Sequence, residues 1–431
     1  MSPEVAGIMI IAIVVMLLLF RMWIGLAMAT MGFMGIVYLK GWSTALGILG
    51  AVPYRYIAFY PVTAIPMFVF MAMVITNTGI ASDLFNTAHK WLGQRRGGLA
   101  MASVVASAGL AAIMGDSIAE VVALGQVAVP EMRKYRYDSH LASGSVAAGA
   151  TLGILIPPSL GFVLYGILTE QSIGLLFMAG ILPGILLTVL FMATIWIITI
   201  LRPSAGPPGP RTGFREKIVS LKDTWHMLLL FLLVLGGIYG GIFTPTEAGG
   251  VGAFGAVVIS AFTGRLTLKN LLASLQESAK VTSMIVLLIV GAFILMKFLA
   301  LSKLPFMLAE TVEGLALPRY AVFTVIMILY ILLGMFLDIF SAIVLTLPVL
   351  FPLVVSMGFD PIWFGVIMVL VMEMGLITPP VGLNVFALAG VTGIPLHIIF
   401  RGVMPFVVAM IVCIVLLVLF PQIALFIPGQ M

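Results

Sequence analysis

The chain has 431 residues, of which 62% are hydrophobic and only 9% charged. About a quarter of the residues of a soluble domain are charged, so this composition cannot clothe a water-facing surface and fits a chain whose solvent is mostly lipid. The formal charge of +5 is not a nucleic-acid signal, because the basic residues sit in short loops between apolar spans, where membrane orientation accounts for them.

Cys413 is the only cysteine, which excludes an internal disulfide framework. His89, His140, His226 and His397 have no ligand spacing, so no transition-metal site is expected. No HExxH motif and no GxSxG elbow is present, which argues against a membrane-embedded enzyme.

In chain order, the apolar run Val5 to Phe20 is followed by Arg21 without a small-residue cleavage site, and reads as a retained span. Apolar stretches of ~20 residues place spans near 4–20, 22–39, 61–78, 141–170, 173–201, 225–243, 247–263, 281–300, 361–391 and 398–424. The fold class is therefore all-α and polytopic. The mixed polar, aromatic and basic segments 41–60 and 264–280 are expected to form interfacial helices along the membrane. Thr244-Pro-Thr-Glu247 reads as the start of a helix.

If Arg21 is cytoplasmic, sixteen Lys/Arg fall on the cytoplasmic side. Lys40, Arg55, Lys303 and Arg319 fall outside, and Lys297 lies within a span. This positive-inside asymmetry places both termini on the outer, periplasmic side of a bacterial inner membrane. The Pro/Gly-rich and then basic segment 202–224 reads as a cytoplasmic linker between two halves, 1–201 and 225–431.

The halves match at an offset of 222 residues: Asp116 with Asp338, Pro130 with Pro352, Gly153 with Gly375, Pro157-Pro158 with Pro379-Pro380, Gly180 with Gly402 and Pro183 with Pro405. Each half has five spans, so the second copy enters the membrane the other way up. The loops agree, since 131–140 is basic whereas 353–362 has no Lys or Arg. Inverted-topology repeats of this kind mark many secondary transporters.

Segments 97–132 and 319–352 each begin and end on one side, with limbs shorter than the ~20 residues needed to cross. They read as re-entrant hairpins with tips at Gly115-Asp116-Ser117 and Gly334 to Asp338. After each comes a span interrupted by Pro-Pro, in Gly153-Ile-Leu-Ile156-Pro-Pro158-Ser159 and Gly375-Leu-Ile-Thr378-Pro-Pro-Val-Gly382. Proline lacks an N–H and pushes the preceding residue out of the α region, so about a turn unwinds there. Carbonyls freed in hydrocarbon need partners, and a cation can be one. Helix N-termini beyond the break suit an anionic substrate. A single such break is otherwise a packing kink; two in matched positions favour a binding site.

Asp116 and Glu120 stand four apart, on one face of a hairpin limb, and membrane-depth carboxylates are usually functional. The alternative is a water-filled vestibule or a pair with Lys297. Ser117, Ser159, Thr378 and Asn384 are neutral oxygen donors beside the breaks, and each can equally be helix-packing glue. Glu373, one turn before the second break, is either functional or a buried hydrogen-bonding partner.

The stretches GILIPPSLGFVLYG (153–166), IFTPTEAGGVGA (242–253), LDIFSAIVLTLPVLFPLV (337–354) and GLITPPVGLNVFAL (375–388) resemble the large membrane subunit of tripartite ATP-independent periplasmic (TRAP) transporters, over about Pro66 to Pro405. The resemblance implies a sodium-driven importer of small organic acids, carboxylates or sugar acids, working with a small four-helix membrane subunit and a soluble periplasmic binding protein. It implies an elevator fold, no cofactor beyond coupling sodium ions, and no catalytic residue. Sodium would bind backbone oxygens near Gly153, Ile156 and Pro158, and at Gly375 and Thr378. The tips Gly115, Asp116, Ser117 and Gly334, Asp338 would complete the two sites. Ser159, Asn384 and Glu120 would face the substrate.

The first tip departs from the family's usual Gly-Ser-Ser. Its extra carboxylates can tune ion binding, add a proton site or disfavour a dianionic substrate. No four-helix subunit precedes the repeat, so that subunit is expected as a separate chain. The runner-up is a self-sufficient sodium- or proton-coupled carrier of the same design.

Overall fold

A computed structural model describes residues 2–79, 81–314 and 317–430. Among them only helices and their connections occur. The first half opens with α1 (Pro3–Leu19), α2 (Ile24–Lys40) and α3 (Trp42–Ile57), followed by α4 (Ala64–Asn77) and α5 (Ala81–Leu92). Next comes a helical hairpin, α6 (Gly98–Met114) and α7 (Ser117–Lys134), and then a span in three pieces, α8 (Ser139–Gly149), α9 (Leu152–Leu155) and α10 (Leu160–Thr169). The long α11 (Ile173–Leu201) closes this half.

The second half contains α12 (Phe214–Tyr239), α13 (Pro245–Phe262), α14 (Leu268–Ser302) and α15 (Leu304–Gly314). A second hairpin, α16 (Arg319–Gly334) and α17 (Ile339–Ser356), precedes the interrupted span α18 (Pro361–Leu376) and α19 (Leu383–Thr392). The chain finishes with α20 (Leu396–Leu419) and the short α21 (Gln422–Leu425). Moving α7 along by 222 residues gives the bounds of α17.

Seven helices among the described residues are long and apolar enough to cross a bilayer, or eight if the bent α12 counts as one span. The sequence reading had ten spans. Three of the ten do not qualify: α1 and α2, at 17 residues each, and the second interrupted span, whose two pieces are too short separately; α17, read as a hairpin limb too short to cross, is 18 residues and does qualify.

One expectation is corrected, and one segment is held more tightly than its composition suggests. Segment 264–280 is not a separate interfacial helix but the first part of the 35-residue α14. Its counterpart does form a separate helix, α3, because Pro61 follows it and cannot supply the N–H a continuing helix needs; the matched position is Ser283, which can. Segment 202–224 is not a free linker. Its peptide groups bond to the base of the first hairpin: Gly97 N–H donates to Gly206 O at 2.8 Å, Asp138 N–H to Ala205 O at 3.0 Å and Gly209 N–H to Gly93 O at 2.8 Å. Thr212 donates its hydroxyl to Lys90 O at 2.6 Å, and α12 has already begun at Phe214. Met1 and Met431 lie outside the described residues, as do Leu315 and Ala316 in the 303–319 region.

Two sets of helix contacts stand out. One surrounds α14, which lies along α2, α3 and α4, with α13 against α4. The other interlocks the halves: α7 packs on α19, α17 on α10, α8 on α20 and α11 on α18. Glycines set the closest of these approaches. A methyl group on Gly144 would lie 2.2 Å from the Gly402 carbonyl oxygen, and one on Gly291 would lie 2.2 Å from that of Gly25. Small residues let backbones meet in this way where lipid offers no hydrophobic drive for association.

Candidate functional site

Each hairpin tip lies against a break. At the first, Gly115 takes φ +61°, a conformation glycine adopts without a steric penalty, and a methyl group there would stand 3.0 Å from the Pro158 carbonyl oxygen. At the second, a methyl group on Gly375 would fall 2.8 Å from the Gly334 backbone and the same distance from Ile331 O. Gly382 N–H donates across the break to Met335 O at 3.2 Å.

The first interruption runs from Ile156, extended at φ −82° and ψ 125°, to Ser159. Ser159 caps α10, its hydroxyl oxygen accepting from Phe162 N–H at 3.3 Å. In the second interruption Thr378 turns its hydroxyl back to Met374 O at 2.6 Å, leaving the oxygen's acceptor capacity unused. Glycine at 382, with φ +62°, starts α19.

The two tip aspartates hold matched structural posts. Asp116 caps α7, accepting from Ile118 N–H at 3.1 Å. Asp338 caps α17, accepting from Ser341 N–H at 3.1 Å and from the Ser341 hydroxyl. Caps of this kind satisfy N–H groups that have no partner inside the helix.

Glu120 does not share the surroundings of Asp116. It is wholly buried, and both its carboxyl oxygens lack a hydrogen-bond partner. A methyl group on Gly153 would meet Glu120 Oε2 at 2.7 Å and the Ser117 backbone at 3.3 Å, so the glutamate lies directly over the first break. Ser117 donates its hydroxyl to Glu373 Oε1 at 3.0 Å. Glu373 is therefore the buried hydrogen-bonding partner that one sequence reading allowed. Its Oε2 has no partner.

Lys297 is exposed on α14, and no ion pair joins it to these groups, which removes the pairing considered for Asp116 and Glu120. Glu120, expected to face the substrate, is wholly buried. Asn384, in the first turn of α19, is fully buried with neither amide atom partnered. Sequence reasoning missed Ser107, buried beside the Glu120 carboxyl, whose hydroxyl would touch a methyl group on Gly149 at 2.6 Å. The available signal was a pair of serines, Ser103 and Ser107, four apart in an apolar limb.

The family model described as "Tripartite ATP-independent periplasmic transporter, DctM component" matches residues 11–423. The chain belongs to this family. The C4-dicarboxylate TRAP transporter large permease protein of Pseudomonas aeruginosa is 38% identical over 371 residues, covering 86% of each chain. The sialic acid TRAP transporter permease protein of Haemophilus influenzae is 32% identical over 86% of this chain, which spans 60% of that longer protein. The isethionate TRAP transporter permease protein of Oleidesulfovibrio alaskensis is also 32% identical, covering 88% of this chain and 61% of its own.

Two solved structures share the fold of this TRAP subunit at low identity. The Alcanivorax borkumensis YdaH transporter superposes with a TM-score of 0.61 at 15% identity, over 88% of this chain and 89% of its own. Neisseria gonorrhoeae MtrF superposes with 0.57 at 13%, over 88% and 85%. The subunit is thus a multi-pass membrane protein of a TRAP transporter. Its relatives are named as transporter permeases and not as enzymes.

Proposed function

We propose that this subunit imports a small organic acid, handed over by a periplasmic binding protein and driven by a sodium gradient. The observation that supports this most directly is the pairing of each hairpin tip with a Pro-Pro break, at Gly115 against Pro158 and Gly334 against Gly375. Irregular backbone at membrane depth exposes carbonyls to whatever fills the gap, and a sodium ion suits them. The first sodium site takes Gly153, Ile156 and Pro158 with the tip Gly115, Asp116 and Ser117. The second takes Gly375 and Thr378 with Gly334 and Asp338.

Ser159 and Asn384 face the substrate, Asn384 because a buried amide without partners is costly unless a ligand satisfies it. The N-termini of α10 and α19 add partial positive charge for the anion. The two halves form inverted repeats, and the interlocked group of helices slides as an elevator against the group around α14. A separate small membrane subunit joins the scaffold. The chain sits in the inner membrane with both termini periplasmic.

The test is uptake into proteoliposomes holding this chain and its small subunit, with the sodium gradient and the binding protein varied independently. Uptake that requires both supports the reading. Uptake by this chain alone overturns it in favour of a self-sufficient carrier. Loss of sodium dependence in Thr378→Ala is expected; its survival removes Thr378 from the second site.

A further inference from the structure

At the end of the helices where segment 202–224 docks, one cavity carries two cations that the protein leaves unpaired. It measures about 560 Å³ and is bounded by α8, α11, α20 and the short turn Pro203–Ala205 that follows α11. Local features build it. A methyl group on Gly402 would lie 2.2 Å from the His140 carbonyl oxygen, so α20 and α8 meet backbone to backbone and give the cavity a rigid floor. Helix α11 ends at Arg202, whose N–H donates to Ile198 O at 2.8 Å. The chain then turns back, and Ala205 O accepts from Asp138 N–H at 3.0 Å, which closes the third side.

The polar rim consists of Arg202, Arg401, Asp138 and His140. Asp138 is already committed. It caps α8, its Oδ1 accepting from the His140 N–H at 2.7 Å and lying 2.9 Å from His140 Nδ1. The arginines are not committed: among the described residues neither guanidinium joins an ion pair or a hydrogen bond. Helix dipoles do not account for both. Arg202 follows the C-terminus of α11, where a cation is favoured, but Arg401 is in the second turn of α20, toward the end that favours anions. Two guanidinium groups lining one cavity suit an oxyanion that accepts from both.

The walls decide which oxyanion. Ile198, Leu201 and Pro405 line the cavity beside the arginines, and Leu201 is 75% exposed. Leu201 stands four residues from exposed Ile197, and Arg401 is followed at spacings of three or four by Met404, Pro405 and Val408. Such spacings keep one helix face, so an apolar strip runs from the charged rim along both spans. A soluble phosphate would meet the arginines and leave that strip bare, whereas a phospholipid covers both. Under the orientation proposed above, the basic end faces the inner leaflet, and basic pockets between helices on that side hold anionic headgroups.

We propose that this cavity binds an anionic phospholipid of the inner leaflet, with Arg202 and Arg401 holding its phosphodiester and an acyl chain lying along Leu201, Ile197 and the Pro405 face of α20. The bound lipid ties α8, α11 and α20 together beside the docked segment 202–224. Neither sodium coupling nor import is needed for the site to fill.

Native mass spectrometry of the full chain in detergent tests the site, with dioleoyl phosphatidylglycerol, dioleoyl phosphatidylethanolamine and glycerol phosphate as probes. Preferential retention of phosphatidylglycerol over phosphatidylethanolamine is expected. Arg202→Gln and Arg401→Gln should each lower the phosphatidylglycerol affinity about fivefold, the factor equivalent to about 1 kcal/mol per basic residue at a membrane surface. Arg211→Gln, at an exposed arginine outside the cavity, should leave it unchanged. Equal retention of the two lipids, or the same effect from all three substitutions, overturns the proposal. Glycerol phosphate binding as tightly as phosphatidylglycerol replaces the lipid with a soluble phosphate and overturns it too.

Thermal unfolding gives a second readout. Phosphatidylglycerol should raise the melting temperature of the native chain and of Arg211→Gln, but not that of the chain carrying both Arg202→Gln and Arg401→Gln. A rise that survives the double substitution places the lipid elsewhere and overturns the assignment. The lipid should also stay bound when the small membrane subunit is copurified. Its displacement by that subunit would make the cavity a protein docking face and overturn the lipid site.

Discussion

Asn384 shows how much a single residue here can say. An amide with neither atom partnered is a liability in a packed interior, and the protein keeps it. In the absence of ligand, Asn384→Leu should hold or raise the melting temperature in detergent, because an apolar group of similar shape removes an unmet hydrogen-bonding demand worth about 1–3 kcal/mol. The same substitution should cut uptake at least tenfold. A fall in both would show that the amide serves packing. Gly375→Ala should act in the opposite sense. Its methyl group meets backbone on two sides at 2.8 Å, none of which is a flexible side-chain end, so a loss of about 1–3 kcal/mol is expected in thermal unfolding.

Such residues were legible in sequence by type but not by surroundings. Asp116 and Glu120 looked alike, four apart on one limb. One is a cap and the other is sealed over Gly153, and only the three-dimensional meeting of hairpin and break distinguishes them.

Among the elements, hairpins and breaks were readable because their causes are local. Pro-Pro ends a helix wherever it lies, and a glycine with a capping aspartate starts the next limb of each hairpin; limb length was the weaker guide, since α17 is 18 residues and apolar enough to span. The path of segment 202–224 was not readable. Its prolines and glycines suggest a flexible tether, yet its peptide groups find partners on Gly93, Gly97 and Asp138, which are remote in sequence. Composition reports what a segment can do alone and not what it docks on.

Thr212 gives a handle on this strap, donating to Lys90 O and accepting from Gln94 at 2.8 Å. Thr212→Val removes both bonds, each worth about 0.5–1.5 kcal/mol. Amide exchange over 206–213 should rise about tenfold while the hairpin limbs stay protected. Unchanged exchange there would mean that the backbone bonds alone hold the strap.

For the molecule as a whole, the asymmetry of basic residues sets orientation, and the sole native thiol makes that easy to check. Cys413 is fully buried, so it should stay silent to a membrane-impermeant maleimide. In intact spheroplasts Lys303→Cys should label and Arg211→Cys should not, since both positions are exposed but fall on opposite sides. The reverse pattern would invert the topology proposed here. Overall architecture was the most legible level, because lipid imposes one apolar length on every span. The count of spans was less so, since helices of 17 residues sit at the margin of that length.

The contrast between α14 and its counterpart carries a consequence for the working cycle. The group around α14 is the part that stays in place in the proposed elevator, so its own stiffness matters. Here the halves differ: one half has a joint at Pro61, where α3 gives way to α4, and the other has a single 35-residue rod. The jointed arm can fold at a place where the rod can only tilt. On the elevator reading proposed above, one half of the scaffold then carries a hinge that the other half lacks, and bending on that side should be confined to residues 58–63.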